Sequence, residues 1–99
     1  MSVKFVALFK QPEDPETFLR TFNEEHVPLL LKVPGPTSAD ITKLDRDSFG
    51  NKPDVFLVVT IGFPDRETFK AAALSPEWRA ATENLMTFAK GIVTAYVGS

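Results

Sequence analysis

Asp14-Pro-Glu-Thr-Phe-Leu-Arg-Thr-Phe-Asn-Glu-Glu-His-Val-Pro-Leu-Leu-Leu-Lys-Val-Pro34 is the stretch around which the chain is organised, and it carries the only histidine, His26. Asp14 before Pro15 and Glu16 reads as an N-cap, because its carboxylate can accept from free amide donors and proline's fixed φ suits the first helical position. Phe18, Phe22 and His26 follow at four-residue steps, with Leu29 and Leu30 a turn later, so the imidazole belongs to the apolar stripe. Pro28 lacks an amide hydrogen and crowds the carbonyl of Glu24, so the helix is expected to kink or loosen where His26 sits.

On either side of this helix the pattern is that of strands. Val3 to Phe9 places Val3, Phe5, Ala7 and Phe9 on one face and Val6 and Leu8 on the other. Pro34-Gly35-Pro36 breaks the chain sharply. Thr37 to Asp45 alternates weakly and carries the charge of an edge strand. A long loop from Asp45 to Asp54, holding Phe49, leads to Val55–Phe63, the most apolar run and the expected central strand, ended by Pro64.

Asp65-Arg-Glu-Thr-Phe69 starts a second helix and repeats Asp14-Pro-Glu-Thr-Phe18 at four of five positions. Two helix starts reached independently, or a duplicated half, both explain so short an echo. Ser75-Pro-Glu-Trp78 is a fresh start after a kink, with Trp78, Ala81, Leu85 and Phe88 spaced for a buried face. Gly91 stops the helix, and Ile92 to Val97 forms the last strand, on which Tyr96 brings a hydroxyl.

The order βαββαβ predicts an α+β, ferredoxin-like fold: a four-stranded antiparallel sheet with both helices on one face. The whole chain, residues 1–99, is one domain, with a folded surface of roughly 5,600 Å² by mass scaling. On the uncovered sheet face, Val6 and Leu8 of the first strand and Phe56 and Val58 of the third form an apolar patch too large to leave wet, so a second copy is expected to cover it.

Composition narrows the chemistry. A formal net charge of −2 with no basic stripe argues against an electrostatic nucleic-acid footprint, so no nucleic-acid partner is expected. No cysteine is present, so disulfides, thiol catalysis and thiolate metal sites are excluded, and one histidine leaves few soft ligands for a transition metal, so no metal is expected. The first residues lack the apolar length of a signal sequence or membrane span, so no membrane partner is expected and the cytoplasm is the expected location.

Taken together, an opening strand ending in Phe9-Lys10, then Pro12-Glu-Asp-Pro-Glu-Thr-Phe18, His26-Val-Pro-Leu29 followed by Pro34-Gly35, Ser75-Pro-Glu77 and Phe88-Ala-Lys-Gly-Ile-Val-Thr94 resemble the EthD-like family over nearly the whole chain. The resemblance implies a dimeric α+β barrel, related to cofactor-free lactone isomerases and small quinone-forming monooxygenases, with a pocket between helices and sheet into which His26 would point. It implies no cofactor. This chain departs from the pattern in having Pro36 directly after Gly35.

His26 is the candidate catalytic residue, since a neutral imidazole in an apolar pocket can take a proton from a carbon next to a carbonyl. The competing account is a structural histidine that braces the Pro28 kink. Phe18, Phe22, Trp78, Thr42 and Tyr96 are the candidate substrate-binding residues around a small apolar ligand, although the aromatic members serve equally as core. The expected function is that of a small-molecule pocket protein: a cofactor-independent isomerase, cyclase or oxygenase-type enzyme acting on an apolar carbonyl or aromatic catabolite, or a non-catalytic accessory protein of a degradation pathway.

Overall fold

The computed structural model describes residues 2–99. Strand β1 (Val3–Lys10) leads into helix α1 (Pro15–Thr21), a π-helical turn (Phe22–His26) and helix α2 (Val27–Leu30). Strands β2 (Ser38–Lys43) and β3 (Val55–Phe63), helices α3 (Arg66–Ala73) and α4 (Pro76–Phe88) and strand β4 (Val93–Gly98) complete the chain. The strands form one antiparallel sheet in the order β2-β3-β1-β4. The apolar β1 and β3 take the centre and the charged β2 an edge, as their compositions require.

The helix starts obey the capping rule. Asp14 Oδ1 accepts from the Thr17 amide at 3.2 Å, and Asp65 Oδ1 from the Thr68 amide at 2.7 Å, so the repeated pentapeptide makes the same cap twice. Ser75 separates α3 from α4: its hydroxyl donates to the Ala72 carbonyl at 2.6 Å and accepts from the Trp78 amide at 3.1 Å. Gly35 turns the chain into β2 at φ +99°, and a Cβ there would stand 2.7 Å from Thr68 Cγ2 on α3. At Gly62 a Cβ would collide with the Ser38 hydroxyl, so glycine lets the start of β2 press against β3.

Alternation divides the sheet. Val3, Ala7, Phe9, Leu57, Val59, Ile61 and Phe63 are buried beneath the helices. The core contains two groups of rings. Phe9, Phe18, Phe22, Phe56 and Phe88 form one, while Phe5, Phe63, Phe69 and Trp78 form the other. Phe18 and Phe69, the last residues of the two repeated pentapeptides, each enter a different group.

The second face differs from expectation at Phe56. The β1–β3 register pairs Phe9 with Leu57 but Lys10 with Val55, so Phe56 is the extra residue of a β-bulge. The bulge turns its ring to the helix side, where it is 5% exposed and meets Phe18 edge-on at 6.0 Å. The open face therefore keeps Val6, Leu8 and Val58, all half-buried, among Thr60, Thr42, Thr94 and Tyr96. The molecule measures 39 × 28 × 19 Å, two layers deep. Its surface of 6466 Å² exceeds the roughly 5,600 Å² of a compact chain of this mass, as expected for a slab with one bare sheet face.

Candidate functional site

The loosening expected near Pro28 takes the form of the π-helical turn. The Val27 amide donates to the Phe22 carbonyl, five residues back. The wider turn lies immediately ahead of Pro28, whose ring would otherwise press on the Glu24 carbonyl. It also resolves a geometric difficulty. In an α-helix a four-residue step overshoots a full turn by about 40°. A π turn of roughly 4.4 residues makes the same step fall short by about 30°. Phe18 to Phe22 is a step of the first kind and Phe22 to His26 of the second, so the rotations nearly cancel. The three rings remain in one row, with centroids 6.2 Å and then 5.3 Å apart.

His26 is 4% exposed and is the one buried polar or charged side chain among the described residues. Its ring packs between Phe22 and Phe88, the latter at 6.2 Å, against Ala81 and Asn84 of α4. Burial holds its pKa below the ordinary 6.5, against a smaller opposing pull from the Asn84 side chain and the Ala81 carbonyl. The imidazole is thus neutral at pH 7. Its Nδ1 is buried without a hydrogen-bond partner, and so is Asn84 Oδ1. The Asn84 amide nitrogen donates to Glu25 Oε1 at 3.3 Å.

A cavity of about 280 Å³, not lined by His26, opens between the end of the same helix and the sheet. Val27 and Leu30 form its roof, Ala39 and Ile41 of β2 and Val59 and Ile61 of β3 its floor, and Thr37 and Ser38 its polar contribution. Leu31, 74% exposed, stands at its edge. The Pro34-Gly35-Pro36 turn connects roof to floor and holds them apart, with the Thr37 amide bonded to the Gly62 carbonyl at 2.8 Å. A small molecule with a mostly apolar body and one polar group would fit such a lining.

The candidate residues do not converge on this cavity. His26, Phe22 and Phe18 share one row of rings, and Phe18 also lines a separate cleft with Phe88, Thr17, Thr21 and Lys90. Trp78 belongs to the second aromatic group, 4.8 Å from Phe5. Thr42 and Tyr96 pair with Val58 and Val6 and lie on the open sheet face, away from His26. The cavity is built instead from Val27, Leu30, Ile41 and Ile61, with the hydroxyls of Thr37 and Ser38, none of which is among the sequence candidates. The available signal was the rigid Pro34-Gly35-Pro36 turn between an apolar helix end and a strand with Ala39 and Ile41 on one face. Among the described residues, no group of three or more His, Asp or Glu side chains is placed to hold a metal ion, and no helix is long and apolar enough to cross a membrane.

Comparison with known proteins places these features in a wider set. A family model described as EthD domain matches residues 10–91. None of the curated proteins compared matches the sequence. Among solved structures, an ethyl tert-butyl ether D (EthD) family protein from Bacillus halodurans is 29% identical and superposes with a TM-score of 0.95, covering 100% of this chain and 98% of its own. A variant of SnoaB, a cofactor-independent oxygenase from Streptomyces nogalater, is 18% identical, with a TM-score of 0.70 over 99% of this chain and 91% of its own. A dimeric ferredoxin-like protein of unknown function from Jannaschia is 16% identical, with a TM-score of 0.74 over 100% and 99%. The last two likenesses establish the ferredoxin-like fold alone.

Proposed function

The chain belongs to the EthD family, and from that premise we propose that it is a homodimeric pocket protein that takes a small, largely apolar carbonyl or aromatic compound, with His26 as general base. The cavity beneath Val27 and Leu30 carries the reading: it is apolar, it is of ligand size, and hydroxyl-bearing residues stand at one end. The bare sheet face with Val6, Leu8 and Val58 supports pairing of two copies sheet to sheet, and the Jannaschia relative is described as dimeric.

His26 immediately precedes Val27, which lines the cavity, and burial keeps its ring neutral. Those are properties of a base waiting for a proton, in an isomerase, cyclase or oxygenase-type step that needs no cofactor. The description of SnoaB as cofactor-independent is in keeping with that chemistry. A proton-transfer step of this kind contributes about 10²–10⁴-fold, so binding and orientation of the substrate would supply the remainder. Closure of His26 to 4% exposure favours a second reading, a binding or accessory protein whose histidine is structural.

Native mass spectrometry of gently purified protein tests the assembly and the pocket together: a dimer with an organic adduct is expected, and a monomer at micromolar concentration refutes the sheet-to-sheet pairing. Ala39→Phe fills the cavity and should abolish adduct binding while the dimer persists. With the ligand identified, His26→Ala separates the two readings. Loss of turnover with binding retained establishes the base, whereas unchanged turnover eliminates it.

A further inference from the structure

The His26 side chain packs against a second residue whose buried polar atom has the same deficiency. His26 Nδ1 and Asn84 Oδ1 are both enclosed and both lack a partner, and the two side chains meet where the π-helical turn packs on α4. An amide can be turned either way, but here one orientation is selected. The Asn84 nitrogen donates to the Glu25 carboxylate at 3.3 Å. Reversing the amide would set its oxygen against that carboxylate, acceptor against acceptor, so the oxygen keeps the buried position.

A carbonyl oxygen can only accept. Facing a bare ring nitrogen it would leave two lone pairs opposed in a low-dielectric interior, the most costly arrangement for a polar pair. A proton on Nδ1 satisfies both atoms at once. The neutral imidazole has only one such proton, so its other nitrogen is bare.

We infer that Asn84 is a positioning residue that holds His26 as the Nδ1–H tautomer and leaves Nε2 as the proton-accepting atom. The bearing of this on catalysis rests on the reading of His26 as a general base; the tautomer itself does not. Glu25 orients the amide, the amide orients the proton, and the proton decides which ring atom is basic. When Nε2 takes a proton from a carbon acid, the bonding pair stays on the substrate as an enolate. The resulting imidazolium keeps its Nδ1–H directed at Asn84, and the Ala81 carbonyl also favours the charged ring. The cation therefore forms without the histidine leaving its seat.

The chain has a single histidine, so the imidazole gives one set of signals. Two-bond ¹H–¹⁵N correlation on ¹⁵N-labelled protein at pH 8, without ligand, reads the tautomer directly. In the wild type Nδ1 is expected to show the shift of a protonated, pyrrole-like nitrogen and Nε2 that of a bare, pyridine-like one. Asn84→Leu removes the acceptor and should shift the population to the Nε2–H form that a free neutral histidine side chain prefers. Glu25→Ala alters only an exposed side chain, so folding is retained. It frees the amide to turn and should give a mixture.

A wild-type Nε2–H ring overturns the inference, and so does an undiminished Nδ1–H population in both variants. Because the measurement uses the unliganded protein, failure to find a ligand or turnover leaves its result intact. A refuted tautomer equally leaves the pocket and the dimer standing.

Discussion

Acidification should destabilise this protein in two separate steps, of which the first belongs to His26 alone. Its folded pKa lies below the unfolded 6.5 because the charged ring is poorly accommodated between Phe22 and Phe88. Below pH 6.5 the unfolded chain binds a proton that the folded chain refuses, so stability rises with pH in that interval. The contribution is therefore complete above 6.5, is lost as pH falls toward the folded pKa, and changes no further below it. One proton sets the steepest possible slope, about 1.4 kcal/mol per pH unit.

With a urea m-value of roughly 1–3 kcal/mol/M, that slope moves the unfolding midpoint by about 0.5–1.4 M per pH unit. The assay is a set of urea transitions at one protein concentration between pH 8 and 5, on wild type and His26→Asn. The variant retains a nitrogen donor near the Nδ1 position and cannot titrate. Its midpoint should therefore lack the wild-type descent below pH 6.5. Parallel curves for the two proteins would show that the ring takes up its proton freely in the folded state and that its seat is not restrictive. The second step comes from Asp14 and Asp65, whose helix-cap hydrogen bonds from Thr17 and Thr68 hold their pKa values below 3.8. Their contribution is lost as pH falls below 3.8 and should survive unchanged in His26→Asn.

Three further substitutions test the frame around the site. Phe22→Ala removes a ring with no exposed surface that touches Phe9, Phe18 and His26, and should cost about 3–5 kcal/mol in urea unfolding. A loss under 1 kcal/mol would mean that the row of rings is not a packed unit. Ser75→Ala should cost about 1 kcal/mol with an unchanged m-value, since it deletes the cap on Trp78 and the link to Ala72. Gly35→Ala should cost about 1–3 kcal/mol through its positive φ, with an added clash against Thr68. Combining it with Thr68→Ser should recover the clash but not the backbone strain, as read by thermal melts of the single and double variants.

Much of the fold was legible in the residues themselves. Alternation located the strands, Asp14, Asp65 and Ser75 marked helix starts that the structure caps as expected, and the βαββαβ order fixed which face the helices cover. Phe56 departs from the alternation because period two assumes an unbroken ladder, and a bulge of one residue moves a side chain to the opposite face without any mark in the pattern. The site was less legible for a related reason. Thr42 and Tyr96 stand out in the sequence by their hydroxyls, but strand parity puts them on the open face, while Trp78 joins the other aromatic group. The cavity is lined mostly by ordinary aliphatic residues, whose significance comes from the space between them and not from their chemistry. His26 stood out by type and spacing, yet its partner Asn84 lies 58 positions along the chain on another helix.

The π-helical turn also bears on how relatives of this chain are to be aligned. A helix that bonds five residues back at one turn holds one residue more than an α-helix of the same rise. That residue is an insertion accommodated without a loop. Sequences lacking it should come into register with this one through a single gap within positions 22–26, not at either helix end. In such a relative the residue aligned to His26 without the gap would be rotated about 100° around the helix, off the row formed by Phe18 and Phe22. Whether a family member retains its histidine in the α4 interface is thus a question of helix length as much as of residue identity, and an alignment that spreads the gap elsewhere would score the histidine as present while the fold had turned it away.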